Sequence, residues 1–585
     1  GDGSGAGRFP VSDRALSRTP PQHSPLLAPL GRRRSRAPAV VGALTYLVGF
    51  ADIAYGMARG WRHRMHPLID FLPGAIAAAS AATVVSGILL LLLAHALRRR
   101  KRRAWRAALA LLALSVVLHA VKLEVFAVAM SLALLIVMMV YRSEFWALGD
   151  PRTRWRAVRA FFVLAAASLA VGVVMVFLLR HRVVGGPPSL FSILQEVLSG
   201  LVGLYGPLTF VDERATDIEG ALLLGLGLMT AVTTIYLALR PPEPRPELTD
   251  VDEAAMRSLL GRSPDSLGYF NLRRDKSVVW SDSGKAAVAY RVVSGVMLAS
   301  GDPLGDPEAW PGAIANFLAK AELHAWTPAV IGCSERGGQS WCRPTGFSAL
   351  ELGDEAVVDV PSFSLEGRPM RNVRQMVRRI ERAGYTTEVL RAGSVTEGER
   401  RRALVDADAW RSTETERGFS MALGRLMDPV DPDCVFVVAR QDGVMRAFLQ
   451  FVPWGSDGMS LDLMRRDRTA DPGVNELLIV DALRGCPALG VNRVSLNFAA
   501  FRSTLERGER LGAGPFVRAW RRVLLFASRW FQIESLYRFN AKFQPTWVPR
   551  FIVYPAARDL PRIAVAALEA EAFLTWPHLR RFSGA

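Results

Sequence analysis

The sequence predicts a multi-domain chain in which an N-terminal α-helical transmembrane bundle of about six spans is followed by a soluble α/β region built twice on one plan. Three observations predict it. Nearly all long apolar runs fall before Arg240. A stiff, proline-rich stretch from Arg240 to Pro246 then separates two regions of different composition. Beyond it, one order of strands, tight turns and a helix occurs two times. At 585 residues the chain has room for two or three domains. Half its residues are hydrophobic while 22% are charged, an average best explained by a membrane part joined to a soluble part.

Residues 1–37 are rich in Pro, Ser, Gly and Arg, lack apolar periodicity and read as a disordered basic arm ending in Arg32-Arg33-Arg34-Ser35-Arg36. The apolar segment that follows lacks a small-residue cleavage pattern, so it is not read as a secretory signal. A spanning helix needs about 20 apolar residues, and the stretches near 39–58, 71–97, 104–121, 124–141, 158–179 and 219–239 qualify within a membrane domain of 38–240. A seventh stretch, 189–205, carries Gln195 and Glu196 and reads as re-entrant or interfacial. The basic run Arg98-Arg99-Arg100-Lys101-Arg102-Arg103 belongs on the cytoplasmic side. Alternation from there places both termini in the cytoplasm of a multi-pass protein of the cell membrane, with Arg59, Arg62 and Arg64 as a mild violation. Asp52 and His119 fall within or near spans, where ionisable groups are functional candidates, although a helix-end position facing polar surroundings is the plainer reading.

Net charge is +18, so the soluble part can attract an anionic partner, either nucleic acid or lipid headgroups. Four scattered cysteines make neither a disulfide framework nor a zinc site, and they read as reduced thiols. After a linker at 241–255, "SVVWSDSGKAAVAYRVVSGVMLASGDPLGD" gives strand, Asp-Ser-Gly turn, strand, Ser-Gly turn and strand, then a helix near 308–323 and a strand near 327–332. Later, "CVFVVARQDGVMRAFLQFVPWGSDGMSLDLMRR" repeats this with two Asp-Gly turns, a helix near 474–487 and the strand "RVSLNFA". Three antiparallel strands, a helix and a further strand are the core of an N-acetyltransferase-like (GNAT-like) fold. The expected division is a first such unit at 256–400 and a second, catalytic one at 401–585. Ordinary acetyltransferases hold the coenzyme A pyrophosphate on a Gln/Arg-x-x-Gly-x-Gly/Ala turn. Thr469-Ala470-Asp471-Pro472-Gly473-Val474-Asn475-Glu476 lacks it, which argues against acyl-CoA chemistry.

Six segments, in order, carry a more specific resemblance: "ASGDPLGD" (299–306), "GDEAVVDV" (353–360), "RNVRQMVRRIERAGYTTEV" (371–389), "ERGFSMALGRLMDP" (416–429), "LDLMRR" (461–466) and "LYRFNAKFQPTWVPRFIVY" (536–554). They resemble the synthase domain of the MprF-type aminoacyl-phosphatidylglycerol synthases, a family that includes mycobacterial lysyl-lipid enzymes, and they cover most of 260–560. The resemblance implies transfer of an amino acid, lysine favoured, from aminoacyl-tRNA to the glycerol hydroxyl of phosphatidylglycerol, a change that lowers susceptibility to cationic peptides. Only about six spans precede the synthase, fewer than in large members with a separate lipid-flipping part. The lysyl-tRNA synthetase module of mycobacterial members does not appear before the sequence stops. The partners implied are aminoacyl-tRNA, phosphatidylglycerol and anionic membrane lipid, with homo-oligomer formation left open. An aminoacyl ester is already activated, so no cofactor, ATP or metal is expected.

Such chemistry needs a base near the lipid hydroxyl, donors for a developing oxyanion and cations for two phosphorylated substrates. By resemblance Asp462, Arg465, Glu476 and Lys542 are the candidate catalytic residues. The carboxylates would bind the substrate amino group and assist proton removal, and Arg465 and Lys542 would meet phosphate or carbonyl oxygen. In a regular strand Asp462 and Arg465 point to opposite faces, so a bulge or the strand end must bring them together. The plainer alternative is that Glu476 complements a helix N-terminus and Asp462 pairs with a nearby Arg. For substrate binding the candidates are Arg371, Arg374 and Arg378, a basic stripe on a helix at 369–383 suited to tRNA phosphates or an anionic membrane, together with Trp410, Arg425 and Arg538. Trp410 serves equally as helix packing. A second basic cluster, Arg518, Arg521, Arg522 and Arg529, alternates with Trp520, Phe526, Trp530 and Phe531 and suits a membrane surface or a core. "GERLGAG" (508–514) lacks the Lys-Ser/Thr of a P-loop and is given no nucleotide role.

Overall fold

The computed structural model describes residues 37–57, 73–98, 100–121, 123–145, 151–201, 203, 206–211, 213–239, 244, 248–261, 263–411, 418–500 and 533–572. The N-terminal arm, the 59–70 loop, the 508–514 glycine-rich stretch and the 518–531 basic and aromatic cluster lie outside the described residues.

Long apolar runs without internal proline form the membrane region: α1 (Ala37–Met57), α2 (Pro73–Leu97), α3 (Arg102–Val121), α4 (Val125–Val140), α5 (Pro151–Leu179), α6 (Leu190–Leu201) and α7 (Glu213–Leu239). Helices α1 and α2 meet through glycine. A Cβ on Gly49 would lie 2.8 Å from the Gly87 carbonyl oxygen, and one on Gly87 would lie 2.6 Å from that of Gly49. Such close backbone approach is how helices associate where no hydrophobic drive exists between them. Among the described residues three helices are long and apolar enough to cross a membrane: Ala37–Tyr55, Arg102–Val121 and Arg159–Arg182. The other apolar stretches among the described residues, Ala82–Ala94, Val125–Val140, Leu190–Leu201 and Glu219–Thr234, run 10–17 residues, so the expected count of about six is met only to that extent. Val125–Val140, for example, rises about 24 Å against a hydrocarbon core of about 30 Å. Helix α6, 12 residues long, rises about 18 Å and cannot cross.

The soluble region is a GNAT-like α/β domain. Its strands are β1 (Ser277–Trp280), β2 (Ala286–Val293), β3 (Val296–Ser300), β4 (Leu304–Gly305), β5 (Thr327–Cys333), β6 (Ser348–Asp359), β7 (Tyr385–Arg391), β8 (Val435–Gln441), β9 (Val444–Trp454), β10 (Gly458–Arg466), β11 (Arg493–Ala500) and β12 (Thr546–Tyr554). Its helices are α8 (Asp250–Leu260), α9 (Trp310–Leu323), α10 (Glu335–Thr345), α11 (Arg371–Arg382), α12 (Glu397–Ala409), α13 (Val474–Gly485), α14 (Ile533–Ala541) and α15 (Leu560–Ala570). One sheet runs β1-β2-β3-β5-β12-β6-β11-β10-β9-β8-β7, with β4 on β2.

The anticipated turns close both hairpins. Ser294 and Gly295 have φ of 48° and 75°, and Asp442 and Gly443 have 53° and 77°. Two successive positive φ values twist the chain as paired strands require, and Gly and Asp tolerate them. In each half the third strand then leads through a helix to a parallel neighbour: β3 through α9 to β5, and β10 through α13 to β11. The last strand of each half crosses over. β6 pairs with β11, and β12 lies between β5 and β6, which joins the halves into one sheet.

Alternate residues of the β7–β11 half serve opposite faces. Val435, Val437, Ala447, Leu449 and Phe451 pack with α11 and α13, whereas Phe436, Val438 and Phe448 pack with Ala403 and Trp410 at α12.

Candidate active site

β10 and β11 are paired only from Gly458 to Ser460 and from Arg493 to Ser495. Directly afterwards both leave regular geometry. Against β9, Leu461 faces Phe451 and Leu463 faces Gln450, so Asp462 is the extra residue of a bulge. Against β6, register shifts between Ser495 and Phe498, where Asn497 adopts φ of 68°. The Asn497 amide spans the widening gap, donating to the carbonyls of Leu461 and Met421 at 3.0 Å each.

The bulge resolves the strand-alternation problem. Met464 packs on the α13 face and Leu463 on the α12 face, and Asp462 joins Leu463 and Arg465 on the α12 side. Those three residues line a cavity of about 170 Å³ with Leu404, Asp408 and Arg411. Asp462 is fixed there by two donors: Leu423 N–H reaches Oδ1 at 2.7 Å and Gln450 Nε2 reaches Oδ2 at 2.7 Å. Buried Gln450 also takes the Met427 N–H at 2.8 Å and gives to the Arg425 carbonyl at 2.9 Å. One glutamine thereby clamps the 418–431 segment to the sheet and orients the carboxylate. The Arg465 guanidinium donates to the Met464 carbonyl at 3.3 Å.

Glu476 and Lys542 form a second pair on the α13 face. Gly473, at φ 112°, starts α13 in a left-handed turn where a Cβ would lie 2.5 Å from Met376 of α11. That turn buries Glu476 in the first helical turn, where a carboxylate suits the helix dipole. Lys542 donates to Glu476 Oε1 at 2.8 Å while its side chain stays 44% exposed, so the ammonium is accessible to a phosphate. The four candidate catalytic residues thus fall into two pairs, one on each face of the sheet beside the point where β10 and β11 part.

The substrate-binding candidates are dispersed. Arg371 and Arg378 lie on the exposed side of α11, whose Val373, Val377 and Ile380 are buried. Arg374 turns back to the Leu365 and Gly367 carbonyls. Trp410 ends α12 and packs on Phe448 with ring centroids 6.0 Å apart. Arg538 is exposed on α14. Arg425 lines the cavity, but its guanidinium is held by Asp431 at 2.5 and 3.1 Å, by Glu253 at 2.7 Å and by the Leu272 carbonyl at 3.0 Å. Burial would push the Asp431 carboxyl up, yet the hydrogen bonds from Arg425, Tyr269 and Arg257 hold it below the usual range. This arginine fixes the 418–431 segment to the first half.

Sequence reasoning missed Gln450 and Asn497. The signal was present: each is a polar residue inside a strand of apolar neighbours. It also missed Arg550, whose guanidinium bonds Glu355 Oε2 at 2.5 and 2.9 Å, Asp265 at 2.6 Å and Ser266 at 2.5 Å, all buried.

Comparison with known proteins places this geometry among relatives. Residues 257–554 match the family profile "Phosphatidylglycerol lysyltransferase, C-terminal", and residues 33–236 match "Transmembrane region of lysyl-tRNA synthetase". The lysylphosphatidylglycerol biosynthesis bifunctional protein LysX of Mycobacterium avium (strain 104) is 44% identical over 460 residues, covering 77% of this chain and 38% of the relative. Its counterpart from Nocardia farcinica (strain IFM 10152) is 52% identical over 357 residues, covering 60% and 32%. The chain therefore spans well under half the length of these relatives. Among solved structures, that of L-PGS from Bacillus licheniformis superposes with a TM-score of 0.50 at 21% identity, covering 57% of this chain and 100% of that one, a likeness of fold.

Proposed function

The chain belongs to the phosphatidylglycerol lysyltransferase family, and from that premise we propose that it is a tRNA-dependent aminoacyltransferase. It moves an amino acid, lysine favoured, from aminoacyl-tRNA to the glycerol hydroxyl of phosphatidylglycerol at the cytoplasmic face of the membrane. The observation that carries this reading is the bulged Asp462, oriented by Leu423 and Gln450 and facing a cavity beside Arg465 where β10 and β11 part.

The reaction exchanges one ester for another. The lipid hydroxyl oxygen bonds to the aminoacyl carbonyl carbon, the carbon–oxygen bond to the tRNA ribose breaks, and the hydroxyl proton ends on the ribose oxygen. Asp462 accepts hydrogen bonds on both oxygens, which suits it to anchor the α-ammonium of the aminoacyl group and hold the ester in place. Arg465, on the same wall, supplies positive charge to the carbonyl oxygen as it becomes anionic. Glu476, paired with Lys542, is the carboxylate left to take the proton, and Lys542 meets a substrate phosphate. The exposed arginines of α11 hold tRNA phosphates without reading bases. Six spans with both termini in the cytoplasm would put the soluble region beside its lipid substrate.

The test uses purified full chain in phosphatidylglycerol vesicles with tRNAs charged with labelled amino acids, the lipid extract being read by mass spectrometry. A ribonuclease-sensitive aminoacyl lipid is expected, and it names amino acid and acceptor together. Intact charged tRNA with no aminoacyl lipid would refute the reading and favour a lipid transporter whose soluble region is regulatory.

A further inference from the structure

The turn that brings Leu423 to Asp462 is gripped by residues that do not line the cavity. Residues 418–424 form neither helix nor strand, yet Phe419, Ser420, Ala422 and Leu423 are buried. Gly418 adopts φ of 110°, and a Cβ on it would lie 2.6 Å from that of Ala422, so the turn curls on itself. Buried irregular backbone has no ladder of its own and must find its partners elsewhere. Glu571, the residue that ends α15, supplies them at the start of the turn. Its Oε2 accepts from the Phe419 N–H at 2.6 Å. Its Oε1 accepts from the Ser420 N–H at 3.0 Å and from the Ser420 hydroxyl at 2.6 Å. The Glu571 carbonyl also takes the Gly418 N–H at 3.2 Å.

Other side chains complete the grip. The Arg273 guanidinium, ahead of β1, donates to the Gly418 and Ala422 carbonyls. Asn497 of β11 donates to the Met421 carbonyl at 3.0 Å, and Asp462 accepts the Leu423 N–H at 2.7 Å. The Phe419 ring is fully buried in one cluster with Ile563, Ala566 and Ala570 of α15. Glu571 and Asp462 therefore hold the same short turn from its two ends, Ser420 in one and Leu423 in the other. Ala422 and Gly424 of that turn line the cavity, whereas Glu571 does not. Removing the Glu571 carboxyl would leave two buried N–H groups without an acceptor, a state the turn escapes by opening to water. Opening draws the Leu423 N–H away from Asp462.

We propose that Glu571 is a positioning residue for aminoacyl transfer, acting through the 418–424 turn on the Asp462 carboxylate. The inference rests on the reading of Asp462 as the group that anchors the aminoacyl ester. Glu571 meets no substrate, and its effect passes along the turn it fixes. A displacement of about 1 Å in a positioned group is enough to cost about 10²-fold in rate. A residue behind the cavity wall then matters as much as one in it.

The test is a double-mutant cycle on the full chain in phosphatidylglycerol vesicles supplied with charged tRNA. The parent, Glu571→Ala, Asp462→Ala and the double variant are compared, with turnover expressed per folded protein. Glu571→Ala is expected to lower turnover about 10²-fold in the parent and by less than about threefold in Asp462→Ala, where the group it positions is already gone. Amide hydrogen exchange across the 418–424 turn should quicken in Glu571→Ala, while β8 and β9 keep the parent's protection. If Glu571→Ala does not fold, Glu571→Gln, which keeps the side-chain volume and one acceptor oxygen, goes through the same cycle with a loss of about tenfold expected. Equal fold-losses in the two backgrounds would mean a merely structural role and overturn the proposal, with the function reading intact. Parental turnover in Glu571→Ala would overturn it as well. A parent that forms no aminoacyl lipid overturns the function reading, and this role with it.

Discussion

The two halves of the soluble region use one strand–helix–strand plan and finish it differently. In the first half β3 and β5 stay paired for five residues, Val296–Ser300 against Thr327–Ile331. Gly301 N–H then extends the ladder to the Ile331 carbonyl at 2.8 Å. The next residue, Asp302, takes the Ser334 N–H at 2.8 Å and the Ser334 hydroxyl at 2.5 Å. The space around it is filled: a Cβ on Gly337 would lie 1.9 Å from Asp302 Oδ1. In the second half, pairing between β10 and β11 ends after three residues, both strands shift register, and the bulged Asp462 carboxylate faces a cavity. On the reading proposed above, an aspartate beside a parallel strand pair is structural where the strands close behind it and works on substrate where they part. Arg550 belongs to the sealed side. It comes from β12, the strand that crosses from the second half, and its partner Glu355 also accepts from Ser495, the last paired residue of β11.

The sharpest way to break the comparison exchanges the fates of the two aspartates. Asp462→Ala is expected to lower aminoacyl-lipid formation by about 10²–10³-fold, the scale of losing a positioned electrostatic contact. Its effect on stability should be only about 1–3 kcal/mol, from the unpaired Leu423 and Gln450 donors. Asp302→Ala should keep turnover within about tenfold and lose about 1–3 kcal/mol through the stranded Ser334 N–H. Lipid mass spectrometry and thermal unfolding on the same preparations check both, and equal losses of turnover would erase the distinction. Lys542→Met comes next, with a loss of about 10²-fold expected. Because that side chain is half-exposed, little change in the unfolding temperature should accompany it.

Arg550→Met probes the sealed side directly. Removing the cation leaves Glu355 and Asp265 buried and uncompensated, which costs about 3–5 kcal/mol. Unfolding temperature should fall by many degrees, and turnover should fall only in proportion to folded protein. An unchanged unfolding temperature would mean the two carboxyls are neutral in the folded chain.

What the sequence disclosed and what it hid divide along sequence distance. Ser294-Gly295 and Asp442-Gly443 announced their hairpins because positive φ is a local demand that few residue types meet. The strand–helix–strand order of each half was legible in strand and helix lengths, and the parallel pairing it makes came from the structure. The membrane helices were visible as apolar runs, but how many of them cross depends on a few residues of length at each end. The shared wall of Asp462 and Arg465 depends instead on the register of β10 against β9, and a one-residue slip changes every face. Arg425 looked like a substrate ligand in "LGRLMD", yet Glu253, 172 positions away, takes its guanidinium. Arg550 meets Asp265 across 285 positions only because β12 inserts into the first half. No local pattern carries that information.

The smallest expected effect separates the halves by pH. Burial foremost, and then neighbouring Asp265, push the Asp302 carboxyl up to about 7, against the lowering hydrogen bonds of Ser334. The folded chain thus keeps a proton that the unfolded chain releases near 3.8. The stability this contributes is complete below about 3.8 and is lost as pH rises through about 7. Lys276 acts with the opposite sign. It is fully buried, bonded to the Phe270 carbonyl and the Ser300 hydroxyl at 2.8 Å each, and burial lowers its ammonium from 10.5 to about 7. Its contribution is present above about 10.5 and is lost as pH falls through about 7. Both groups lie against the closed end of β3, so the sealed half should be least stable near neutrality. Asp302→Asn, a neutral mimic of the protonated acid, removes the acid-side slope and leaves the Lys276 slope in place. Unfolding temperatures of the full chain, followed from about pH 4 to about pH 9, should fall between about 4 and 7 in the parent relative to the variant and run parallel above that. Parallel curves throughout would mean that Asp302 is ionised when folded.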